Sequence, residues 1–154
     1  MFALIGEGEK RAEYEQYVAR QHLTNVEVLG AIPWDTVRNY IDSAQVGVQA
    51  FCNNSFWRCA LSTKIFDYML AGKPVVFAGE GDTADLINDA RAGFVVRPED
   101  HNALADAILR LYQDPAGGIA MGRNGLQYMS ANFSAESSAR TLASALHPVV
   151  QSFN

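Results

Sequence analysis

The sequence predicts an α/β fold: one domain over residues 1–154 with a doubly wound parallel sheet and helices at its C-terminal end. Two observations carry this. Short apolar runs alternate with helix-length amphipathic stretches, and those runs are continuous in polarity rather than alternating, as strands covered on both faces are. Composition agrees, since 154 residues at 49% hydrophobic and 19% charged suffice for one good core. In this class ligands sit at the carboxyl ends of the strands.

The first strand is Phe2-Ala3-Leu4-Ile5, broken by Gly6-Glu7-Gly8. Glu9 to His22 forms a helix with Tyr14, Tyr17 and Val18 on one face, and its charged side is solvated. Val26 to Leu29 is the second strand, stopped by Gly30. Pro33-Trp34-Asp35 opens a helix through Ser43, because proline fits a first helical turn. Val46 to Ala50 is the third strand, and Phe51 to Leu61 is irregular. A helix from Ser62 stops at Gly72-Lys73-Pro74 before the strand Val75-Val76-Phe77-Ala78. Asp82-Thr83-Ala84-Asp85 resembles a capping box for a helix to Ala90, and Gly93 introduces the strand Phe94-Val95-Val96. Three helices finish the chain: Asn102–Tyr112, a second around Ile119–Met129, and a third capped by Ser134.

A formal net charge of −5, with 12 scattered basic residues and no basic run, argues against nucleic acid as a partner. Cys52 and Cys59 are too few for a disulfide framework and have no zinc-site spacing, so they read as reduced thiols of a cytoplasmic protein, Cys59 as a small buried one. No run reaches membrane-spanning length, and no signal-peptide pattern opens the chain. His22, His101 and His147 read as surface or capping residues. Trp34 and Trp57 read as packing residues, with Trp57 the better candidate for stacking on a sugar. No metal-ligand spacing is present.

The most informative segment is the helix from Ser62. Ser62 is a natural N-cap, the first amides of a helix have no partner within it, and Lys64 stands in the first turn, where the helix dipole favours acids. A cation and free N–H groups at a helix start suit a diphosphate. Asp67 follows one turn later, spaced to accept from a sugar diol. A purely structural reading is also open: Ile65, Phe66, Met69 and Leu70 pack, and Lys64 is solvated.

Taken in order, Leu4-Ile5-Gly6-Glu7-Gly8, Val26 to Gly30, Ser62 to Val76, Gly93 to Asp100 with Leu104-Ala105, Met121 to Asn124 and Phe133 to Glu136 resemble the C-terminal, donor-binding half of retaining GT-B glycosyltransferases, of the glycosyl transferases group 1 (family 4) type. The resemblance covers nearly the whole chain. It implies a Rossmann-like, nucleotide-sugar-binding domain. Gly6, Glu7 and Gly8 would approach the nucleotide, and backbone from Leu29 through Gly30 to Ile32 would hold the base. Ser62, Thr63 and Lys64 would take the phosphates, and Asp67 the ribose hydroxyls. The resemblance implies no cofactor and no metal, and it names no catalytic residue within this chain.

Two departures stand out. The family often carries two glutamates flanking seven residues; here the second is Asp67 and the first falls on Cys59, a poor partner for sugar hydroxyls, so either Asn53, Asn54 or Arg58 would replace it, or a different sugar would be used, or activity would be reduced. The family domain also begins with another strand and follows an acceptor-binding domain. The expectation is a domain truncated at its N-terminal side and inactive alone. Its sheet, in the order 3-2-1-4-5-6, would lack the central strand between Phe2–Ile5 and Val46–Ala50. Partners would be a nucleoside-diphosphate sugar and the missing acceptor domain or another chain, with self-association through the unpaired sheet edges. The location would be cytoplasmic, peripheral at the inner membrane in the full-length enzyme. Alternatives are a non-catalytic or partner-completed nucleotide-binding module, or half of a GT-B-type sugar-nucleotide epimerase, which would need further acids and histidines near the sugar.

Overall fold

The computed structural model describes residues 1–151. The chain divides into two compact units, Met1–Ser43 and the remainder from Ala44.

In the first unit β1 (Phe2–Ile5) and β2 (Val26–Leu29) pair in parallel, Phe2 opposite Val26, joined by α1 (Arg11–Arg20) and followed by α2 (Trp34–Ser43). The helix predicted to start at Glu9 starts later, with Lys10 at its N-cap position and no side-chain cap.

The second unit is a three-stranded parallel sheet of β3 (Gly47–Ala50), β4 (Val75–Ala78) and β5 (Gly93–Val96), with β4 central. β4 is buried along its whole length, and its residues divide by parity. Val75 and Phe77 face a core with Ile65 and Met69 of α3 (Thr63–Leu70) and Leu86 and Ile87 of α4 (Asp82–Ala90), whereas Val76 faces Ala107 and Leu111 of α5 (His101–Gln113). Helices therefore cover both faces, which is why the strands read as unbroken apolar runs. Strand order is β1-β2 in one sheet and β3-β4-β5 in the other, so β1 and β3 each have a single strand partner among the described residues.

α3 ends as its sequence predicts. Gly72 adopts φ +68°, the Gly72 N–H donates to Met69 O at 3.0 Å and the Lys73 N–H to Tyr68 O at 2.9 Å. Those two bonds close a Schellman turn, and Pro74 prevents continuation. The last helices are α6 (Pro115–Asn132) and α7 (Ala135–Gln151). α6 is longer than the Ile119–Met129 reading because glycine has poor helix propensity, yet here it serves packing: a Cβ at Gly122 would collide with the Gly72 carbonyl.

Of two predicted caps, one is corrected and one forms. α4 begins at Asp82 itself, with Gly81 at the N-cap position, so Asp82 and Asp85 form no capping box. They lie in the first turn, where their charge favours the dipole. Ser134 does cap α7, its hydroxyl accepting from the Ser137 N–H at 3.1 Å.

Candidate functional site

In the first unit the loop after β1 and the end of β2 meet through Glu7. Its carboxylate accepts from the Ala31 amide at 3.1 Å and from the Arg11 guanidinium. Gly6 sits at φ +138°, a backbone region side chains rarely enter. A Cβ on Gly30 would meet the Arg11 guanidinium and the Glu7 carboxylate, so a side chain there would push this ion pair aside. Gly6, Glu7, Gly8, Leu29, Gly30 and Ile32 are thus brought into one loop pair, with Leu29, Gly30 and Ile32 half-buried. The Glu7 carboxylate is spent on protein partners.

In the second unit Ser62, Thr63, Lys64 and Asp67 gather at the start of α3. Ser62 occupies the N-cap position at φ −81° and ψ 116°, extended geometry suited to a cap, yet its hydroxyl caps nothing. It donates instead to Gln49 Oε1 on β3 at 2.6 Å. The prediction of Ser62 as a capping side chain is corrected: the residue is buried, and the nearby amide oxygen of Gln49 captures its proton. The Ser62 carbonyl accepts from Ile65 and Phe66. The N–H groups of Thr63 and Lys64 find no acceptor among the described residues, and both residues are exposed.

Asp67 lies one turn on, half-buried, and its carboxylate takes no hydrogen bond among the described residues. Burial raises its pKa above the ordinary carboxylate range, and the Lys64 ammonium pulls it back down. The neighbouring Tyr68 hydroxyl is also raised, by burial first and by the Asp67 charge second. A carboxylate held in this way is short of donors, which a vicinal diol would supply.

The segment before α3, expected to be irregular, contains a 3-10 turn, Ser55–Cys59. Asn54 caps it by accepting from the Phe56 amide at 3.0 Å, Arg58 pairs with Glu80 at 2.9 Å, and the Asn53 amide donates to Glu99 Oε1 at 3.3 Å. Of the residues expected to stand in for the absent glutamate, Arg58 and Asn54 therefore hold the loop itself. Trp57 stacks on Phe51 with ring centroids 4.6 Å apart, a packing role. Trp34, by contrast, is more than half exposed. Cys59 is exposed, not buried, because Phe51 and Trp57 supply the inward contact of this loop; Cys52 is exposed too, and both thiols are free. His22, His101 and His147 are all exposed. Gln49, Thr83 and Glu99 shape this region and were missed. The φ of +65° at Glu99 has no sequence signal, since the residue is not glycine.

The family described as Glycosyl transferases group 1 matches residues 1–114. The chain belongs to the group 1 glycosyl transferases. It is similar to an uncharacterized glycosyltransferase of Methanocaldococcus jannaschii, 26% identical over 127 residues, 82% of this chain and 35% of the relative. It is also similar to the 2-deoxystreptamine glucosyltransferase of Streptomyces kanamyceticus, 27% identical over 133 residues, 86% of this chain and 33% of the relative. Among solved structures, sucrose-phosphate synthase from Thermosynechococcus elongatus superposes with a TM-score of 0.78 at 25% identity, over 97% of this chain and 38% of that one. HepE of Anabaena, solved with UDP-glucose, has a TM-score of 0.78 at 23% identity, over 95% and 40%. This group 1 chain therefore spans about a third of the length of these curated relatives, and its fold is that of the Rossmann-like C-terminal domain of GT-B enzymes. No helix among its described residues is long and apolar enough to cross a membrane.

Proposed function

We propose that the chain is the donor-binding half of a retaining, metal-independent glycosyltransferase that moves a sugar from a nucleoside-diphosphate sugar to an acceptor. One observation carries the reading: α3 begins with a cap residue turned aside, with two amides and a Lys64 ammonium that have no hydrogen-bond or ion-pair partner among the described residues, and with a donor-poor carboxylate on Asp67. The amides of Thr63 and Lys64, with the Lys64 ammonium, would receive the diphosphate and stabilise its charge as the bond to the anomeric carbon breaks. Asp67 would accept from the ribose hydroxyls. Within the first unit, Glu7, committed to Ala31 and Arg11, would act by shaping the loop from Leu29 to Ile32. The nucleotides bound in similar structures, UDP-glucose in HepE among them, support the same donor class.

The rest of the enzyme, an acceptor-binding domain or another chain, would complete the reaction. The single-sided pairing of β1 and β3 offers edges for such a partner or for a second copy. Two free thiols fit a reducing cytoplasm, with the whole enzyme peripheral at the inner membrane.

A thermal-shift panel of UDP, GDP, ADP and their sugars tests the donor site. A ligand at a hundred times its Kd adds about 2.7 kcal/mol of stability, a readily measured shift. At least one nucleotide should raise the Tm of the wild-type chain and leave that of Lys64→Ala unchanged. Silence across the whole panel would sink the reading.

A further inference from the structure

Thr83, the second residue of α4, is fully buried, with no solvent to satisfy its hydroxyl. Both of that hydroxyl's hydrogen bonds go to the chain entering α3. Oγ1 donates to the Ala60 carbonyl at 2.6 Å and accepts from the Ser62 amide at 3.1 Å. A single side chain thus grips the backbone on both sides of Leu61, immediately before the two free amides. The approach is close, since a Cβ on the preceding Gly81 would strike the Arg58 carbonyl. Gln49 grips the Ser62 side chain at the same point, so the cap residue is fixed through its amide by α4 and through its hydroxyl by β3. Valine has the shape of threonine and would fill the same space, but it would leave a half-buried carbonyl and a buried N–H without their partner.

From this geometry we propose that Thr83 is a positioning residue for the donor diphosphate: without touching the ligand, it sets the direction in which the Thr63 and Lys64 N–H groups point. The inference rests on the reading of the α3 start as the donor-phosphate seat. The Ser62 amide belongs to the peptide plane that leads into the helix, and small rotations there redirect the next two donors. Preorganised donors contribute most when their aim is fixed before the ligand arrives.

The test uses the full chain as wild type, Thr83→Val, Thr83→Ser and Lys64→Ala, at a temperature where each is folded. UDP affinity is measured by calorimetry and amide hydrogen exchange at Ser62, Thr63 and Lys64 by NMR. Thr83→Val should bind UDP about tenfold more weakly, the loss of one or two hydrogen bonds' worth of organisation. Its Ser62 amide should exchange faster, and Thr83→Ser should restore both readings. UDP binding by Thr83→Val equal to wild type, or a loss that serine does not rescue, overturns the role. Should Thr83→Val not fold, the wild-type exchange pattern decides: a Ser62 amide as unprotected as those of Thr63 and Lys64 overturns it. Binding lost in Lys64→Ala but kept in Thr83→Val defeats the role of Thr83 alone, whereas a wild-type chain that ignores UDP, GDP and ADP defeats the donor-site reading beneath it.

Discussion

The starts of α5, α6 and α7 and the start of α3 present the same chemistry put to opposite uses. Asp100 accepts from the Ala103 amide at 2.9 Å, Asp114 from Gly117 at 2.9 Å and Ser134 from Ser137 at 3.1 Å, each a side-chain oxygen closing the helix that follows. Ser62 has the residue type and the backbone angles for the same task, yet its hydroxyl points to Gln49 and the helix stays open. A cap satisfies amides that would otherwise need water. Leaving them open forgoes about 1 kcal/mol of helix stability. The capped helices are architecture. α1 and α4 also start without a side-chain cap, on Lys10 and Gly81; at α3 the N-cap residue is a serine whose hydroxyl is drawn off to Gln49.

The strongest way to break this contrast is Lys64→Ala. The ammonium and the amides act on one anion, so removing the cation should weaken nucleoside-diphosphate binding about a hundredfold while leaving the Tm of the unliganded chain nearly unchanged. Equal affinity in calorimetry would return α3 to the rank of an ordinary helix. Asp67→Asn comes next, with about a tenfold loss of affinity as a charge-assisted acceptor becomes a neutral one. Its effect on stability runs the other way. The folded state holds the Asp67 proton to higher pH than the unfolded chain does, so ionising the group destabilises the fold. That cost is absent below the ordinary carboxylate range and grows as pH rises through it toward the raised folded value. At neutral pH Asp67→Asn should therefore melt at or above the wild-type temperature, and in acid the two should converge. A variant that melts lower at neutral pH would contradict this account.

Among the capped helices, Asp114→Ala should cost about 1 kcal/mol in urea unfolding and leave nucleotide affinity untouched, because its side chain's one hydrogen-bond partner among the described residues is the Gly117 amide in the first turn of α6. A change in affinity there would mean that the two classes of helix start are not independent.

Much of this was legible in the residues. The apolar runs at Val75–Ala78 and Phe94–Val96 announced strands covered on both faces, and Gly72-Lys73-Pro74 announced the end of α3, because both signals are local. The glycines of α6 misled, since Gly122 is chosen by its contact with Gly72, a tertiary constraint that helix propensity does not contain. At the site, Ser62, Thr63, Lys64 and Asp67 could be named from one stretch of sequence. Gln49 and Thr83 could not, because each acts on Ser62 across the fold and a lone Gln in a strand or Thr in a helix carries no sign of its partner.

The finest test of the contrast is Gln49→Leu. It keeps the bulk on β3 and removes the acceptor that holds the Ser62 hydroxyl, whose backbone already has the angles of a cap. The freed oxygen can then turn to the Lys64 or Ile65 amide, as Ser134 does for Ser137. The regained cap offsets the lost Gln49 bond, so stability should stay within about 0.5 kcal/mol of wild type. Affinity for the diphosphate should fall about threefold, because the ligand now competes with a hydroxyl for an amide it had to itself. Slower hydrogen exchange at Lys64 or Ile65 in the unliganded variant would show the cap forming. Unchanged exchange together with unchanged affinity would mean that Gln49 merely buries Ser62, and that the open start of α3 owes nothing to where its cap residue points.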